Sequence, residues 1–268
     1  MVRYERTESA LWETGGAILI ENGEAVLIDP GITPAENEAI ADRVRQHRAE
    51  VRAILITHAH WDHLTGIGYH PAATACMSPL ARQALEDGEL MERFASQAEL
   101  HGFSFPAAPR CDRVLDPGQA AIAGPFIVET IPLPGHTADG LGFRVRTAGV
   151  LAVGDYLSTY EFPFVYHSTA AYRASLTFLL DLLEDDPPDA ILSGHGRELK
   201  ATEARRVAGE DLQYLHALRR AVSDSLAAGA GSASAIAAGA RVEPPRAPGG
   251  GDARREENAR HQLTELRP

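Results

Sequence analysis

Three histidines and an aspartate stand within six residues of one another, directly after the apolar run of residues 51–56. Side chains of this kind do not fill a protein core, because each buried polar group needs a polar partner. Alternate residues of an extended segment share a face, so the first two histidines can meet one ion while the aspartate and the last histidine, on the turn beyond, face a second. The sequence therefore predicts a metal site at the end of a buried strand. Its candidate ligands are His58, His60, Asp62 and His63.

Three later apolar runs also end at a residue of a metal-binding type. A lone histidine is more often a hydrogen-bonded structural residue than a ligand, but beside the first cluster these residues become candidate ligands as well. Glycines next to each of them give the backbone the freedom to turn a side chain toward a common point. The three residues are His136, Asp155 and His195, and they follow the runs 127–133, 150–153 and 190–192.

Short apolar strands alternate with amphipathic helices over the first 200 residues. Residues 114–147 show strand and turn patterns, including a half-exposed strand in which Arg144 and Arg146 alternate with less polar neighbours. The alternation of strands and helices indicates the α/β class. The predicted strands are residues 16–20, 25–28, 51–56, 150–153 and 190–192, and the predicted helices are residues 34–50, 78–100 and a segment around 172–183.

The last third of the chain is simpler. Residues 203–226 carry apolar side chains at helical spacing, which predicts a packed helix. Residues 227–252 are rich in Ala, Gly and Pro and are expected to be a loop or connector, before a closing helix over residues 256–266. We therefore expect a main domain over residues 1–226, and over residues 227–268 a flexible connector and a C-terminal helix that packs on the same domain.

Composition and charge narrow the classes of function. The formal net charge is −12 and Lys200 is the only lysine, so the basic stripe of a nucleic-acid binder is missing. Charge is nearly balanced in residues 201–268, which leaves room for an anionic substrate group, although a solvated surface explains the balance as well. No apolar run approaches the ~18 residues that a membrane helix needs, and residues 1–12 lack the pattern of a secretory signal. A soluble, cytoplasmic protein without a nucleic-acid or membrane partner is expected.

The motifs resemble those of the metallo-β-lactamase superfamily. The resemblance rests on His-x-His-x-Asp-His at residues 58–63, a later Gly-His-Thr, a Gly-Asp after an apolar strand and a late Gly-His-Gly, with Asp29 ahead of them all, and it covers residues 14–200. It implies that the main domain is a catalytic domain, a four-layer αββα sandwich with a metal site at one edge of two facing sheets. It also implies two divalent metal ions, for which zinc is the default and iron and manganese suit the same ligands. By matching motif, the first metal would be bound by His58, His60 and His136, the second by Asp62, His63 and His195, and Asp155 would bridge them.

With this ligand set, water and not a protein group is the expected nucleophile. Two divalent ions about 3.5 to 4 Å apart can share a hydroxide at neutral pH, because metal binding lowers the pKa of water toward ~7. Asp62 is the expected catalytic residue, since it would hold this hydroxide or carry its proton to the leaving group. Asp29 would steady the histidine loop by hydrogen bonds, with a simple Asp-Pro-Gly turn as the alternative. We therefore expect a hydrolase that cleaves an ester, lactone, thioester or amide bond of a small-molecule substrate.

Departures from particular branches of the superfamily leave the substrate open. A bridging aspartate is similar to glyoxalase II and to the quorum-signal lactonases and is unlike the true β-lactamases. Ser158 stands where the lactonases carry a tyrosine, which leaves Tyr156 or Tyr160 as candidates to reach a carbonyl group, with ordinary packing as the favoured alternative. A persulfide dioxygenase with one iron ion is the first alternative, followed by a phosphodiesterase and by a non-catalytic member. A homodimer is also open.

Several further residues are candidates for the walls of a substrate pocket. Residues 78–110, inserted between the metal loops, are a candidate lid, because function-specific loops lie on a rigid scaffold. Trp61 is expected near the pocket entrance, and His167 follows an aromatic stretch that could form an apolar wall, with core packing as the alternative. The remaining histidines have no partner pattern and are expected to be surface or structural residues. They are His47, His70, His101, His216 and His261.

Overall fold

The first predicted strands belong to a six-stranded mixed sheet in the computed structural model of the chain, which describes residues 2–246 and 251–267. In spatial order the sheet contains β1 (Arg3–Glu8), β2 (Gly15–Glu21), β3 (Glu24–Ile28), β4 (Glu50–Leu55), β5 (Thr74–Met77) and β6 (Arg113–Val114). The strands from β1 to β3 pair antiparallel, and those from β3 to β6 pair parallel. Asn22 and Gly23, both with positive φ, form the tight turn between β2 and β3, as expected for a two-residue hairpin loop.

A second sheet of five strands faces the first. In spatial order it contains β11 (Ala190–Leu192), β10 (Val150–Ala152), β9 (Leu141–Val145), β8 (Phe126–Pro132) and β7 (Ala120–Ala123). Only β10 and β11 pair parallel within this sheet. Helix α5 (Thr169–Asp185) connects them and returns the chain to the end of the sheet at which β10 begins, so that β11 runs in the same direction.

Helices cover the outer face of each sheet. The first sheet is covered by α1 (Pro34–Gln46), α2 (Trp61–Leu64), α3 (Pro79–Ala84) and α4 (Gly88–Leu100), and the second by α5, α6 (Ala201–Ala227), α7 (Ser232–Ala240) and α8 (Gly251–Leu266). Two short 3-10 helices, Thr65–Tyr69 and Arg146–Ala148, complete the described elements. None of these helices has the length and the apolar character that a membrane span requires.

Strand β2 shows why the layers stack in this order. Its residues Ala17 and Leu19 pack in the core between the two sheets, while Ile18 and Ile20 pack on the other side against the helices of the first layer. Successive side chains of a strand point to opposite faces, so a strand that is apolar at every position can be buried on both faces. The predicted αββα sandwich is confirmed.

The structure corrects several sequence-based bounds in the first half. Strands β1 and β5 were not predicted, because β1 is a polar edge strand and β5 has only four residues. The helix expected over residues 34–50 ends at Gln46, and Arg48, with φ of 53°, turns the chain into β4. The single helix expected over residues 78–100 is two helices, α3 and α4, separated by residues 85–87, and Gly88 begins the second.

Two further interpretations are wrong in the second half. The strand around Arg144 is not half-exposed, since every residue of β9 is buried, and the Arg144 guanidinium lies 2.9 Å from a carboxylate oxygen of Asp186. Residues 227–252, expected to be a loop or connector, contain helix α7, which packs on α6 and α8. Its Ala235 is buried in the core between the second sheet and the helices that cover it. Residues 247–250 of that stretch lie outside the described residues.

The ends of five strands are tied together at one edge of the sandwich. The amide of Gly15, the first residue of β2, donates to the carbonyl oxygen of Gly194 beyond β11 (2.7 Å), and the amide of Gly194 donates to that of Gly154 beyond β10 (2.6 Å). The amide of Leu141 in turn donates to the carbonyl oxygen of Thr57, directly after β4 (2.8 Å). These hydrogen bonds hold the loops that carry the predicted ligands against one another.

Candidate metal centre

The structure brings all seven predicted side chains to this edge, in two adjoining groups. In the first group, Nε2 of His58 lies 3.0 Å from Nδ1 of His60, and Nε2 of His136 lies 3.1 Å from the same atom. Oδ2 of Asp155 lies 3.0 Å from Nε2 of His136. One ligand-type atom from each of these four residues therefore falls within 4.8 Å of the others.

The second group consists of Asp62, His63 and His195. Oδ2 of Asp62 lies 3.6 Å from Nε2 of His63 and 3.5 Å from Nε2 of His195. Asp155 adjoins this group as well, because its Oδ1 lies 3.1 Å from Nε2 of His63. Asp155 thus stands between the two groups: Oδ1 adjoins His63 of the second, while Oδ2 adjoins the first and also lies 3.4 Å from Nε2 of His195.

Two buried atoms show that these residues suit a cation. Nε2 of His63 and Oδ1 of Asp155 are buried and, although they lie 3.1 Å apart, they form no hydrogen bond with each other or with any other described group. An unsatisfied buried polar group costs about 1–3 kcal/mol, so native structures pair such groups or place them on a metal. Imidazole nitrogens and carboxylate oxygens are donors that zinc, iron and manganese accept.

The far ring nitrogen of three histidines is fixed by an acceptor. Nδ1 of His63 donates to Oδ2 of Asp29 (2.9 Å), Nδ1 of His136 to the carbonyl oxygen of Phe164 (2.7 Å), and Nδ1 of His195 to that of Trp12 (3.0 Å). With the proton on Nδ1, the Nε2 lone pair of each ring faces the centre. Outer hydrogen bonds of this kind orient metal-binding histidines.

Two glycines allow the loops to come this close. Gly154 adopts φ of +55°, a conformation that residues with a side chain rarely adopt, at the step from β10 into Asp155. At Gly194 a Cβ atom would lie 2.2 Å from Oδ1 of Asp155 and 3.0 Å from the His63 ring. The carboxylate of Asp155 therefore occupies the space that a side chain at residue 194 would need.

Ionisation differs across the cluster. Burial alone would lower the pKa of His63, His136 and His195, but the carboxylates around them raise the pKa of all three, that of His195 to about 10. Burial lowers the pKa of His58 and of His60 well below the usual range, and neighbouring histidines lower both further. Burial alone would raise the pKa of Asp155, but the imidazoles around it, His195 and His58 foremost, hold the pKa of this carboxyl well below its usual range.

A cavity of about 640 Å³ opens above the cluster. Its floor includes His60, Asp62, His136, Asp155 and His195. Its walls are largely apolar and aromatic, as in most small-molecule sites. The apolar and aromatic wall residues are Trp12, Trp61, Leu90, Leu100, Tyr160, Phe164, Tyr166 and Ala253.

The predicted pocket residues divide between this cavity and the core. Tyr160 and Trp61 line the cavity, and residues 78–110 contribute part of α4 to its wall. Tyr156 does not line this cavity, since it is buried and its hydroxyl donates to the carbonyl oxygen of Pro134 (2.8 Å). The suggestion that His167 lines the pocket is wrong, because its side chain is exposed and stands outside the cavity.

Three residues of the site were missed by the sequence analysis, and a fourth, Tyr166, belongs to the aromatic stretch that was expected to form an apolar wall and does line the cavity. Asp139, buried, accepts a hydrogen bond from the amide of Ala59 (2.7 Å) and so supports the histidine loop. Tyr166 packs edge-on against His60 and His136. Glu161 and Arg254 line the cavity. The Tyr-Glu-Phe-Pro-Phe stretch, with one acid among aromatic residues shortly after Asp155, could have pointed to Glu161.

Arg254 reaches the cavity from helix α8. Its guanidinium carbon lies 4.7 Å from the centre of the Tyr166 ring and 5.3 Å from that of Phe164. A cation over an aromatic face is held electrostatically at a distance of this order. Within the described part of the chain, no carboxylate forms an ion pair with this guanidinium.

Known proteins with related sequences include hydrolases and a dioxygenase. The chain is 29% identical over 189 residues to a Bacillus velezensis protein named probable polyketide biosynthesis zinc-dependent hydrolase BaeB, a match that covers 65% of this chain and 73% of that protein. It is 27% identical over 215 residues to a hydroxyacylglutathione hydrolase of Acidiphilium cryptum, covering 80% and 76%. It is 28% identical over 138 residues to the human mitochondrial persulfide dioxygenase ETHE1, covering 51% and 44%.

Solved structures and a family-wide sequence model agree on the fold. The metallo-beta-lactamase family protein TTHA1429 from Thermus thermophilus superposes with a TM-score of 0.70 at 19% identity, covering 98% of this chain and 93% of that one. TTHA1623 in a di-iron-bound form superposes with a TM-score of 0.59 at 24% identity, covering 76% and 98%. The sequence model of the metallo-beta-lactamase superfamily matches residues 12–195. This span contains every strand of the two sheets except the edge strand β1, and it contains all seven predicted ligands. The chain belongs to the metallo-beta-lactamase superfamily.

Proposed function

We propose that the chain is a hydrolase with two divalent metal ions that cleaves an ester, lactone, thioester or amide bond of a small molecule. The observation that carries the proposal is the position of Asp155, whose Oδ2 lies 3.0 Å from Nε2 of His136 while Oδ1 lies 3.1 Å from Nε2 of His63. One carboxylate that adjoins two ligand groups suits a pair of ions. The names of the related hydrolases support the same reaction class.

The residues that would hold each ion follow from the two groups. His58, His60 and His136 would bind the first, Asp62, His63 and His195 the second, and Asp155 would contact both. When bound, such ions lower the pKa of water toward ~7 and polarise the carbonyl group of a substrate. Zinc suits these donors, and iron or manganese suits them too.

The protein groups around the floor of the cavity have separate tasks. Asp62 is buried at the floor, where its carboxylate can hold the attacking water by a hydrogen bond and receive its proton for delivery to the leaving group. The aromatic walls exclude bulk water and contact the apolar part of a substrate. Tyr166 packs against His60 and His136 and keeps their rings in place.

The cavity suits a substrate with an anionic end. Arg254 presents a guanidinium without a carboxylate partner in the described structure, and Arg93 lines the same cavity from α4. A guanidinium binds a carboxylate or phosphate through charge-assisted hydrogen bonds. We therefore place the scissile bond over the histidine floor and a negatively charged group toward Arg254.

Metal analysis combined with a substrate panel tests the proposal. The protein is purified without added metal, its metals are counted by elemental mass spectrometry, and esters, lactones, thioesters and amides are offered with and without an anionic group. We expect two divalent ions per chain and hydrolysis of one bond class, lost on chelation and restored by the metal. A chain that takes up no divalent metal, or that holds two and hydrolyses nothing in the panel, contradicts it.

A persulfide dioxygenase is the second candidate, because the match to the human enzyme extends over 51% of this chain. It predicts one iron per chain and oxygen uptake that depends on a persulfide, and the same metal count distinguishes it from the hydrolase. No observation on the described residues supports the homodimer, which stays a prediction.

A further inference from the structure

A third carboxylate lies beside the second ligand group. Glu161, on the loop between β10 and α5, is 7% exposed and lines the floor of the cavity. One ligand-type atom each from Asp155, Glu161 and His195 falls within 4.8 Å of the others. The two residues that flank this carboxylate are thus members of the predicted metal cluster.

The chain itself offers no partner for this carboxylate. In residues 2–246 and 251–267, no hydrogen bond or ion pair reaches the Glu161 side chain. Arg246 donates from Nε to the Glu161 carbonyl oxygen (2.9 Å), but its guanidinium pairs with Asp211 and Glu210 instead of the carboxylate. A carboxylate with so little contact with water is normally paired or bound to a metal.

The position of Glu161 is nevertheless fixed from two sides. The hydroxyl oxygen of Ser158 accepts hydrogen bonds from the amides of Tyr160 (3.0 Å) and Glu161 (2.9 Å), which forms a tight turn directly before the residue. Arg246 holds the Glu161 carbonyl from a distant part of the chain and is itself anchored on the buried Asp211. A solvated surface glutamate would need no such support.

We infer that Glu161 is an additional ligand of the second metal ion, beside Asp62, His63 and His195. The inference rests on the proposed function, because it requires the two-metal centre. With Asp155, the second position then offers three carboxylates and two imidazoles, whereas the first offers three imidazoles and Asp155. Carboxylates suit manganese, and imidazole-rich sites suit zinc. If Glu161 is a ligand, the second position should prefer Mn²⁺ over Zn²⁺ more strongly than the first position does.

Metal titration of E161Q tests the inference without measuring activity. Metal-free wild type, E161Q and the control E38Q, which changes an exposed glutamate of α1, are titrated with Mn²⁺ alone and with Zn²⁺ alone, followed by calorimetry and by the electron paramagnetic resonance of free Mn²⁺. We expect E161Q to bind the second Mn²⁺ about tenfold or more weakly while its first Zn²⁺ binds as in wild type. E38Q should match wild type.

Two outcomes overturn the inference in distinguishable ways. Wild type that binds neither Mn²⁺ nor Zn²⁺ overturns the proposed two-metal centre and the inference with it. Wild type that binds two ions, with E161Q binding both within about twofold of wild type, overturns the inference alone. Thermal unfolding of the metal-free variants identifies a folding defect, and E161D, which keeps the carboxylate, should recover part of the Mn²⁺ affinity if Glu161 is a ligand.

Discussion

The Asp29 carboxylate accepts a hydrogen bond from Nδ1 of His63 at 2.9 Å. The same carboxylate accepts from the amide (2.9 Å) and the hydroxyl (2.6 Å) of Thr57, the residue before the histidine cluster. Asp29 thereby connects the end of β3 to the loop after β4 and sets the orientation of a ring whose Nε2 faces the candidate metal centre. The Asp-Pro-Gly sequence after β3 is therefore more than a turn, because it places the Asp29 carboxylate where it accepts hydrogen bonds from Thr57 and His63.

We predict that Asp29→Asn weakens metal binding by about 10- to 100-fold. An amide keeps one acceptor oxygen but turns an NH₂ group toward donors, so His63 or Thr57 loses its partner. The measurement is competition for the metal by a chromophoric chelator. Asp42→Asn, at an exposed residue of α1, is the control, and equal metal affinity in the Asp29 variant would show that this hydrogen bond does not support the site.

We predict that Asp62→Asn lowers kcat by about 10²- to 10⁴-fold on the true substrate, the contribution typical of a positioned proton acceptor. An asparagine oxygen can still contact a metal, but an amide cannot receive the proton of water. The assay is run with excess metal so that both positions are filled, and metal content is measured on the same sample.

Asp181→Asn, on the exposed face of α5, is the matched control for Asp62. Hydrolysis at the wild-type rate by a fully loaded Asp62 variant would rule out a proton-transfer role for this carboxylate. A loss of activity that follows the loss of metal alone would limit Asp62 to metal binding.

The ligand cluster could be predicted from the sequence because each ligand stands next to its own strand end. Local patterns identify a strand, and β8 and β10 run in the same direction because each pairs antiparallel with β9 between them. Their carboxyl ends therefore lie at one edge, so His136 and Asp155 need no long-range information beyond the pairing of strands. The same reasoning places His58 directly after β4. The fold class follows from the same alternation of strands and helices.

The walls of the cavity could not be predicted in this way. Arg254 meets Tyr166 only because α8 packs beside the loop after β10, where the side-chain amide of Asn258 donates to the carbonyl oxygen of Pro163 (2.7 Å). No local sequence pattern predicts the contact between Arg254 and Tyr166, because the two residues lie in distant segments of the chain. The burial of Arg144 likewise depends on Asp186, a residue 42 positions away.

We predict that burial of His70 makes stability fall in mild acid. Burial lowers the pKa of His70 to about 4, and its Nε2 has no hydrogen-bond partner among the described residues. The unfolded chain binds this proton near pH 6.5 and the folded chain only near pH 4, so stability falls as pH decreases between these values. The loss attributable to His70 is at most about 3.4 kcal/mol, at 1.36 kcal/mol per pKa unit.

Chemical unfolding of His70→Leu between pH 4 and 7 measures this contribution. Between pH 7 and pH 4, the unfolding free energy of wild type should fall more than that of the variant, by up to the loss attributed to His70. The variant should therefore gain stability relative to wild type in acid. His167→Leu, at an exposed histidine, should leave the pH dependence of wild type unchanged. A His70 variant with the wild-type slope would show that this imidazole is protonated in the folded state.

The final prediction concerns Arg254 and the charge of the substrate. If this guanidinium binds an anionic group, Arg254→Gln should raise KM about tenfold for a substrate with a carboxylate, since a charge-assisted hydrogen bond contributes about 1.5–3 kcal/mol. KM for the matched neutral substrate, and kcat for both, should change little, because Arg254 lies on the aromatic wall and not among the predicted ligands. Arg260→Gln removes an arginine of the same helix that pairs with Glu256, and it is expected to behave as wild type. Equal rises in KM for the charged and the neutral substrate would assign Arg254 to the packing of Phe164 and Tyr166, because only recognition of the anion depends on the charge of the substrate.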